Sequence, residues 1–184
     1  MRILKLFSKK DAPAEAAPIL EKAEAEFGFT PNYMGVMAAS PALLRAYTAL
    51  EQVFASSSLS PGEQQLVALV ASYEHDCPYC LPAHSEMAAR EGITEEVIEA
   101  IREGRGIENP RFQALRRFTS RIIETRGQVT DDEVDGFCRA GYTKAQALEV
   151  ILGVGLKTLS NFTNRLAETP LDPAFAHRAR KRDA

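Results

Sequence analysis

No stretch of this chain approaches the ~20 apolar residues in a row that a membrane-spanning helix needs, so no span is expected. Charge of one sign is also lacking: 22 basic and 25 acidic side chains leave a net charge of −3. Such a balance excludes the electrostatic footprint of a nucleic-acid or anionic-membrane partner. The basic ending RARKR, 178 to 182, is too short for a binding patch and is expected to be a solvated tail. The start, MRILKLFSKKDAP, has no signal-peptide core: Lys5 interrupts the apolar residues and Lys9, Lys10 and Asp11 follow at once. A cytoplasmic protein is therefore expected. There, three cysteines are kept reduced, and a close pair points to catalysis or metal binding rather than to a structural staple. Solenoid repeats, low-complexity blocks and hairpin turns are absent as well.

What is present is a set of clearly written helix starts. Thr30-Pro31, Ser40-Pro41 and Ser60-Pro61 each place a hydroxyl at an N-cap and a proline at the first helical position. Ser60 with Glu63, Thr130 with Glu133 and Thr143 with Gln146 have capping-box spacing. Gly92, Gly104, Gly127 and Gly141 sit where helices should stop. Apolar residues recur at helical spacing, as in Phe112, Leu115, Phe118 and Ile122. The run LVALVA, 66 to 71, suits a buried strand by itself, but its capping box makes it a helix. The expectation is all-α, with about eight helices near 13–27, 32–38, 41–56, 61–74, 78–90, 95–103, 109–126 and 131–168, the last broken at Gly141. One helical domain spans 13–170, between a flexible N-terminal arm, 1–12, and a tail, 171–184. Gly153 and Gly155 inside the last helix mark close approach of another backbone, from this chain or a neighbouring subunit.

The chemistry concentrates in YEHDCPYCLPAHSEM, 73 to 87. With Cys77 at a helix N-cap, Cys80 lies about 60° and His84 about 20° from it on the helical wheel, so all three share a face. The helix dipole favours a thiolate at Cys77, and a neutral His84 one turn beyond Cys80 could take a proton from it. Three readings stand: a redox dithiol, a metal site built from His75, Cys77, Cys80 and His84, or buried sulfur with no chemistry. No metal or organic cofactor is required by the first. Cys138 fits core packing and His177 receives no role; Asn161 and Asn164 on the last helix are candidates to line a pocket or cap a subunit contact, and neither role is assigned.

CPYC is the glutaredoxin tetrapeptide, but a glutaredoxin needs a strand before the motif, and this chain is helical on both sides. A longer likeness runs from about 30 to 170. Leu59-Ser60-Pro61, the apolar helix and then Cys77-x-Tyr79-Cys80-x-x-Ala83-His84 resemble the alkylhydroperoxidase D (AhpD-like) / carboxymuconolactone decarboxylase family, in its peroxidase-related branch. The resemblance implies an all-helical homo-oligomer, a trimer or hexamer. It implies that Cys80 attacks a hydroperoxide, that Cys77 resolves the sulfenic acid to a disulfide, and that His84 belongs to a proton relay. A thiol reductant, protein or small molecule, would restore the pair. Two positions depart from the family pattern. The relay Glu twelve residues before the first cysteine is Gln65 here, which can hold a hydrogen bond but cannot accept a proton. Tyr79 stands where some members have His. Glu74, with His75, is the candidate substitute for the missing carboxylate. The function expected is reduction of alkyl hydroperoxides through a reversible Cys77–Cys80 disulfide. The alternatives are a non-enzymatic redox switch or partner-binding helical oligomer, and a decarboxylase-type member.

Overall fold

The computed structural model describes residues 5–179. The described residues form nine α-helices: α1 Ala17–Phe27, α2 Asn32–Met37, α3 Pro41–Ala55, α4 Pro61–Glu74, α5 Cys80–Arg90, α6 Glu95–Arg102, α7 Pro110–Thr125, α8 Asp131–Arg139 and α9 Lys144–Ala167. A 3-10 turn, Pro173–Arg178, follows, and no strand occurs among these residues. The first four residues of the expected arm and residues 180–184 of the expected tail lie outside the described residues.

The layout is organised around α4. From Leu66 to Ser72 every side chain of this helix is buried, because α5, α7 and α9 pack around it, with α6 at one end. This explains why LVALVA shows no helical alternation: a helix covered all round has no polar face to reveal its period. The three expected capping boxes form with both of their hydrogen bonds.

Three features differ from expectation, and one expected break is present. The first helix begins at Ala17 rather than 13, because Pro13 to Ala16 form a preceding turn. The break expected at Gly141 is present: Gly141 takes φ +96°, a left-handed conformation that a continuing helix cannot hold, and it separates α8 from α9. Arg111 spans that turn: it donates to Gly141 O (2.7 Å) and to the buried Glu63 of α4 (2.9 Å). Thr30 does not cap α2. Its hydroxyl reaches Glu24 (3.5 Å), and the free amide of Asn32 donates instead to the Asp172 carboxylate, at 3.2 Å to the nearer oxygen. Finally, α5 starts at Cys80 rather than 78.

Of the two glycines in α9, Gly153 is the close approach within the chain: a Cβ there would lie 2.6 Å from Phe54 Cζ and 2.9 Å from Val67 Cγ1. Gly155 faces open space. Gly153→Ala should therefore destabilise the fold by about 1–2 kcal/mol through overpacking, against the gain in helix propensity. Urea unfolding followed by circular dichroism reads this, and an unchanged or raised midpoint would contradict the packing.

Candidate active site

Between α4 and α5 the chain turns within five residues. His75 ends α4, Asp76 takes a left-handed φ of +48°, and the Cys77 amide bonds back to Ser72 O (3.0 Å). Arg165 of α9 pins the strained residue by donating to the Asp76 carbonyl and, at 2.9 Å, to its carboxylate. The turn leaves Cys77 just outside α5 and Cys80 at its first residue, with the Cys80 amide donating to Cys77 Sγ (3.3 Å). Both sulfurs are enclosed, the residues being 1% and 2% exposed, beneath Tyr33 of α2 and Leu171 of the C-terminal segment.

The two thiols are driven apart in acidity. Burial by itself would raise Cys80. Hydrogen bonding from the Cys77 thiol, the nearby Lys157 ammonium, and donors from Asn164 and Ser160 outweigh it and hold Cys80 well below the ordinary thiol value. The Asn164 amide nitrogen lies 3.2 Å from Cys80 Sγ. Cys77 is pushed up, first by that same thiol hydrogen bond to Cys80 and then by burial. The expectation of a dipole-stabilised thiolate at Cys77 is thus corrected: α5 begins three residues later, and of the two thiols Cys80 is the more acidic.

His84, one turn along α5, is fixed from both sides. Its Nδ1 lies 2.9 Å from Gln65 Oε1 and its Nε2 lies 2.6 Å from Lys157 Nζ. The amide oxygen only accepts and the ammonium only donates, so the ring is the neutral tautomer with its proton on Nδ1. Burial, reinforced by Lys157, holds its pKa well below the usual histidine value. Gln65 therefore does meet His84, as an orienting acceptor.

The structure separates the remaining candidates. Glu74 is not beside the cysteines: it accepts from Ser120 of α7 (2.6 Å). His75 turns to Asn161 (3.1 Å) and packs its ring against Phe162. With His75 facing away, the four residues of the metal reading do not converge, and no cluster of three or more His, Cys, Asp or Glu side chains suited to a metal occurs among the described residues. Tyr79 points into the protein and donates to Asp172 (2.5 Å). His177 pairs with Glu86 on α5 (3.0 Å), and Cys138 is half-buried on α8.

Sequence reasoning missed Lys157 and Ser160, as well as Glu51 of α3, and named Asn164 only as a candidate for a pocket or a subunit contact. The signal for those on α9 was a polar i, i+3, i+4, i+7 stripe (157, 160, 161, 164) on an otherwise apolar helix. Beside Cys80 lies a small pocket with a cavity volume of about 40 Å³. His84, Lys157, Ser160, Asn164 and Glu51 supply its polar wall, and Tyr33, Tyr47, Tyr79, Phe27, Phe175 and Met87 its apolar walls; desolvation pushes the Glu51 carboxyl up, against the pull of Lys157. Asn164 Oδ1 is buried with no protein hydrogen-bond partner. Its amide nitrogen faces an acceptor-only thiolate, so this oxygen is left to accept from a ligand.

Residues 41–119 match the model of the carboxymuconolactone decarboxylase family. Among curated proteins, "Uncharacterized protein 4 in cox locus" of Paracoccus denitrificans is 40% identical over 58 residues, 30% of this chain. The match spans about half of that relative, 52% of its length. Among solved structures, the fold is similar to an alkylhydroperoxidase AhpD core, a peroxidase-related protein from Ralstonia eutropha, with TM-score 0.84 and 19% identity over 93% of this chain and 92% of that one. It is also similar to the debrominase Bmp8 in complex with 2,3,4-tribromopyrrole, with TM-score 0.79 and 19% identity over 97% and 96%.

The electrostatics predict a pH dependence. Acidification through the lowered Cys80 pKa protonates the thiolate, so ultraviolet thiolate absorbance should fade below a midpoint under the ~8.5 of a free thiol. Lys157→Met removes the ammonium and should move that midpoint up. A midpoint unmoved by this substitution would contradict the role of the cation.

Proposed function

We propose that this chain, whose residues 41–119 match the model of the carboxymuconolactone decarboxylase family and whose fold is similar to an AhpD core, is a dithiol reductase of small hydroperoxides. One observation carries the reading: Cys77 and Cys80 are buried together, with the Cys80 amide donating to Cys77 Sγ (3.3 Å) and the Asn164 amide nitrogen 3.2 Å from Cys80 Sγ, and this setting, with Lys157 near, lowers the pKa of Cys80 and raises that of Cys77. The nucleophile, the resolving thiol and a proton donor thus share one enclosed site.

The chemistry follows from the contacts. The hydroperoxide O–H donates to Asn164 Oδ1, which presents its terminal oxygen to Cys80. Thiolate attack forms the S–O bond and breaks the O–O bond, and sulfur is oxidised to the sulfenic acid. The departing alkoxide takes a proton from Lys157, leaving as an alcohol, and the lysine regains its proton from solvent. His84, kept neutral by Gln65, holds the ammonium in place. The Cys77 sulfur then attacks Cys80, releasing water and closing the disulfide. A protein or small-molecule thiol reduces it again. No metal or organic cofactor takes part. In this scheme Gln65 does not replace the family Glu as a proton acceptor; Lys157 supplies the proton that the step needs.

A second reading is reductive dehalogenation of a small aromatic compound, favoured by the pocket's rings, Tyr33, Tyr47, Tyr79 and Phe175, together with the likeness to Bmp8. The thiolate would take the halogen, a proton would replace it on the ring carbon, and Cys77 would displace halide to give the same disulfide.

The deciding experiment is thiol titration before and after one equivalent of cumene hydroperoxide, with the bridge mapped by mass spectrometry. Fast loss of two thiols as a Cys77–Cys80 disulfide is expected, and two slow, intact thiols would reject the peroxidase reading. Cys80→Ser should abolish turnover, whereas Cys77→Ser should accumulate sulfenic acid that overoxidises on repeated exposure. Bromide release from a bromopyrrole, without peroxide consumption, would select the second reading.

A further inference from the structure

The buried ammonium of Lys157 sets a requirement that a closed disulfide cannot meet. Lys157 is 2% exposed, and in the reduced protein the acidic thiol of Cys80 lies within reach of its charge. Once Cys77 and Cys80 are joined, neither sulfur can carry a charge, and a buried cation left without an anion is costly. His84 does not supply one: its ring is neutral, and the Gln65 oxygen beyond it takes up no proton. Among the described residues that line the pocket, the one carboxyl is Glu51 of α3.

We infer that Cys80 and Glu51 take turns as the anion opposite Lys157, Cys80 in the dithiol and Glu51 in the disulfide. The placement of Glu51 suits this. The residue is exposed, yet it lines the same pocket as Lys157 and Cys80, so it stands between bulk water and the buried charges. The Tyr47 hydroxyl donates to it at 3.5 Å, and the Tyr33 ring packs edge-on against Tyr47. Four elements present titratable groups to it: Glu26 of α1, Tyr33 of α2, Tyr47 of α3 itself and Lys157 of α9. Desolvation raises its pKa against the pull of Lys157 and the Tyr47 hydroxyl, and Glu26 adds to the rise. A carboxyl so placed keeps its proton while a thiolate answers the cation and releases it when the thiolate is gone.

This rests on the dithiol chemistry proposed for the site, and the proton balance closes. The departing alkoxide takes a proton from Lys157, and Glu51 is the immediate source of the one that Lys157 regains. The Cys77 thiol proton leaves with the sulfenic hydroxyl as water. The oxidised site then holds an ammonium and a carboxylate, with the same net charge as before. Two external thiols reduce the bridge and bring two protons: one stays on Cys77, and the other passes from Cys80 to Glu51.

The equilibrium of the protein with dithiothreitol, followed against pH, tests this without any peroxide. The reagent gives up two protons as it is oxidised. In the native protein reduction takes up two, one on Cys77 and one on Glu51. The equilibrium constant should therefore stay flat just above the Cys80 pKa, about 6, and steepen only where Glu51 ionises in the reduced state. In Glu51→Gln one proton is taken up, and the constant should rise tenfold per pH unit from the Cys80 pKa onwards. Infrared difference spectra give a second readout. The carbonyl stretch of a protonated carboxyl should vanish when the native disulfide closes, and Glu51→Gln should lack that band. Equal pH slopes in the two proteins at every pH, or no such band in the native protein, would overturn the exchange. Thiols that follow these curves but ignore cumene hydroperoxide would reject the peroxidase reading and leave the exchange standing.

Discussion

An ammonium group taken out of water costs several kcal/mol unless an opposing charge and hydrogen bonds compensate it. Lys157 is 2% exposed, and among the described residues its amine contacts a neutral imidazole rather than a carboxylate. Two acidic groups feel its charge: the Cys80 sulfur, itself buried and needing a cation for the same reason, and the carboxyl of Glu51 in the pocket wall. The Cys80 sulfur and the Lys157 ammonium make each other tolerable. The surrounding groups follow from this pair: Gln65 fixes the proton of His84 so that the face towards Lys157 can only accept, and Asn164 turns its amide hydrogens to sulfur.

That arrangement needs two helices held at fixed depth. The α4 helix, buried along most of its length, brings Gln65 at one end and the cysteine turn at the other, while α9 crosses it to supply Lys157, Ser160 and Asn164. Gly153 allows Phe54 and Val67 to approach α9 closely. The site is thus assembled from elements far apart in sequence, and its precision comes from core packing rather than from the short motif alone.

Much of the helical layout was legible because its signals are local. A capping hydroxyl, an acidic or amide residue three positions later and a terminal glycine are read within one turn, and Ser60, Thr130 and Thr143 behave as their spacing implies. The Cys77, Cys80 and His84 face was legible for the same reason, although the acidity of the two thiols was assigned in reverse: it depends on Lys157, 77 positions after Cys80. A single lysine in an apolar helix looks like a solvated side chain until the helix is placed. Glu74 looked like the missing carboxylate because it is near in sequence, but the end of α4 turns it towards Ser120 of α7. Asp172 carried no local signal, since the helix whose amide it satisfies begins 140 positions earlier.

Asp172 also joins the order of synthesis to the chemistry. It accepts from Tyr79, between the two cysteines, across 93 positions of chain, and Lys157 too is made long after Cys80. While the polypeptide is still emerging from the ribosome, the sulfur of Cys80 has neither its cation nor the anchor of its loop, and it keeps the sluggish reactivity of an ordinary thiol. The lowered pKa of Cys80 thus arises only when nearly the whole chain has folded around it.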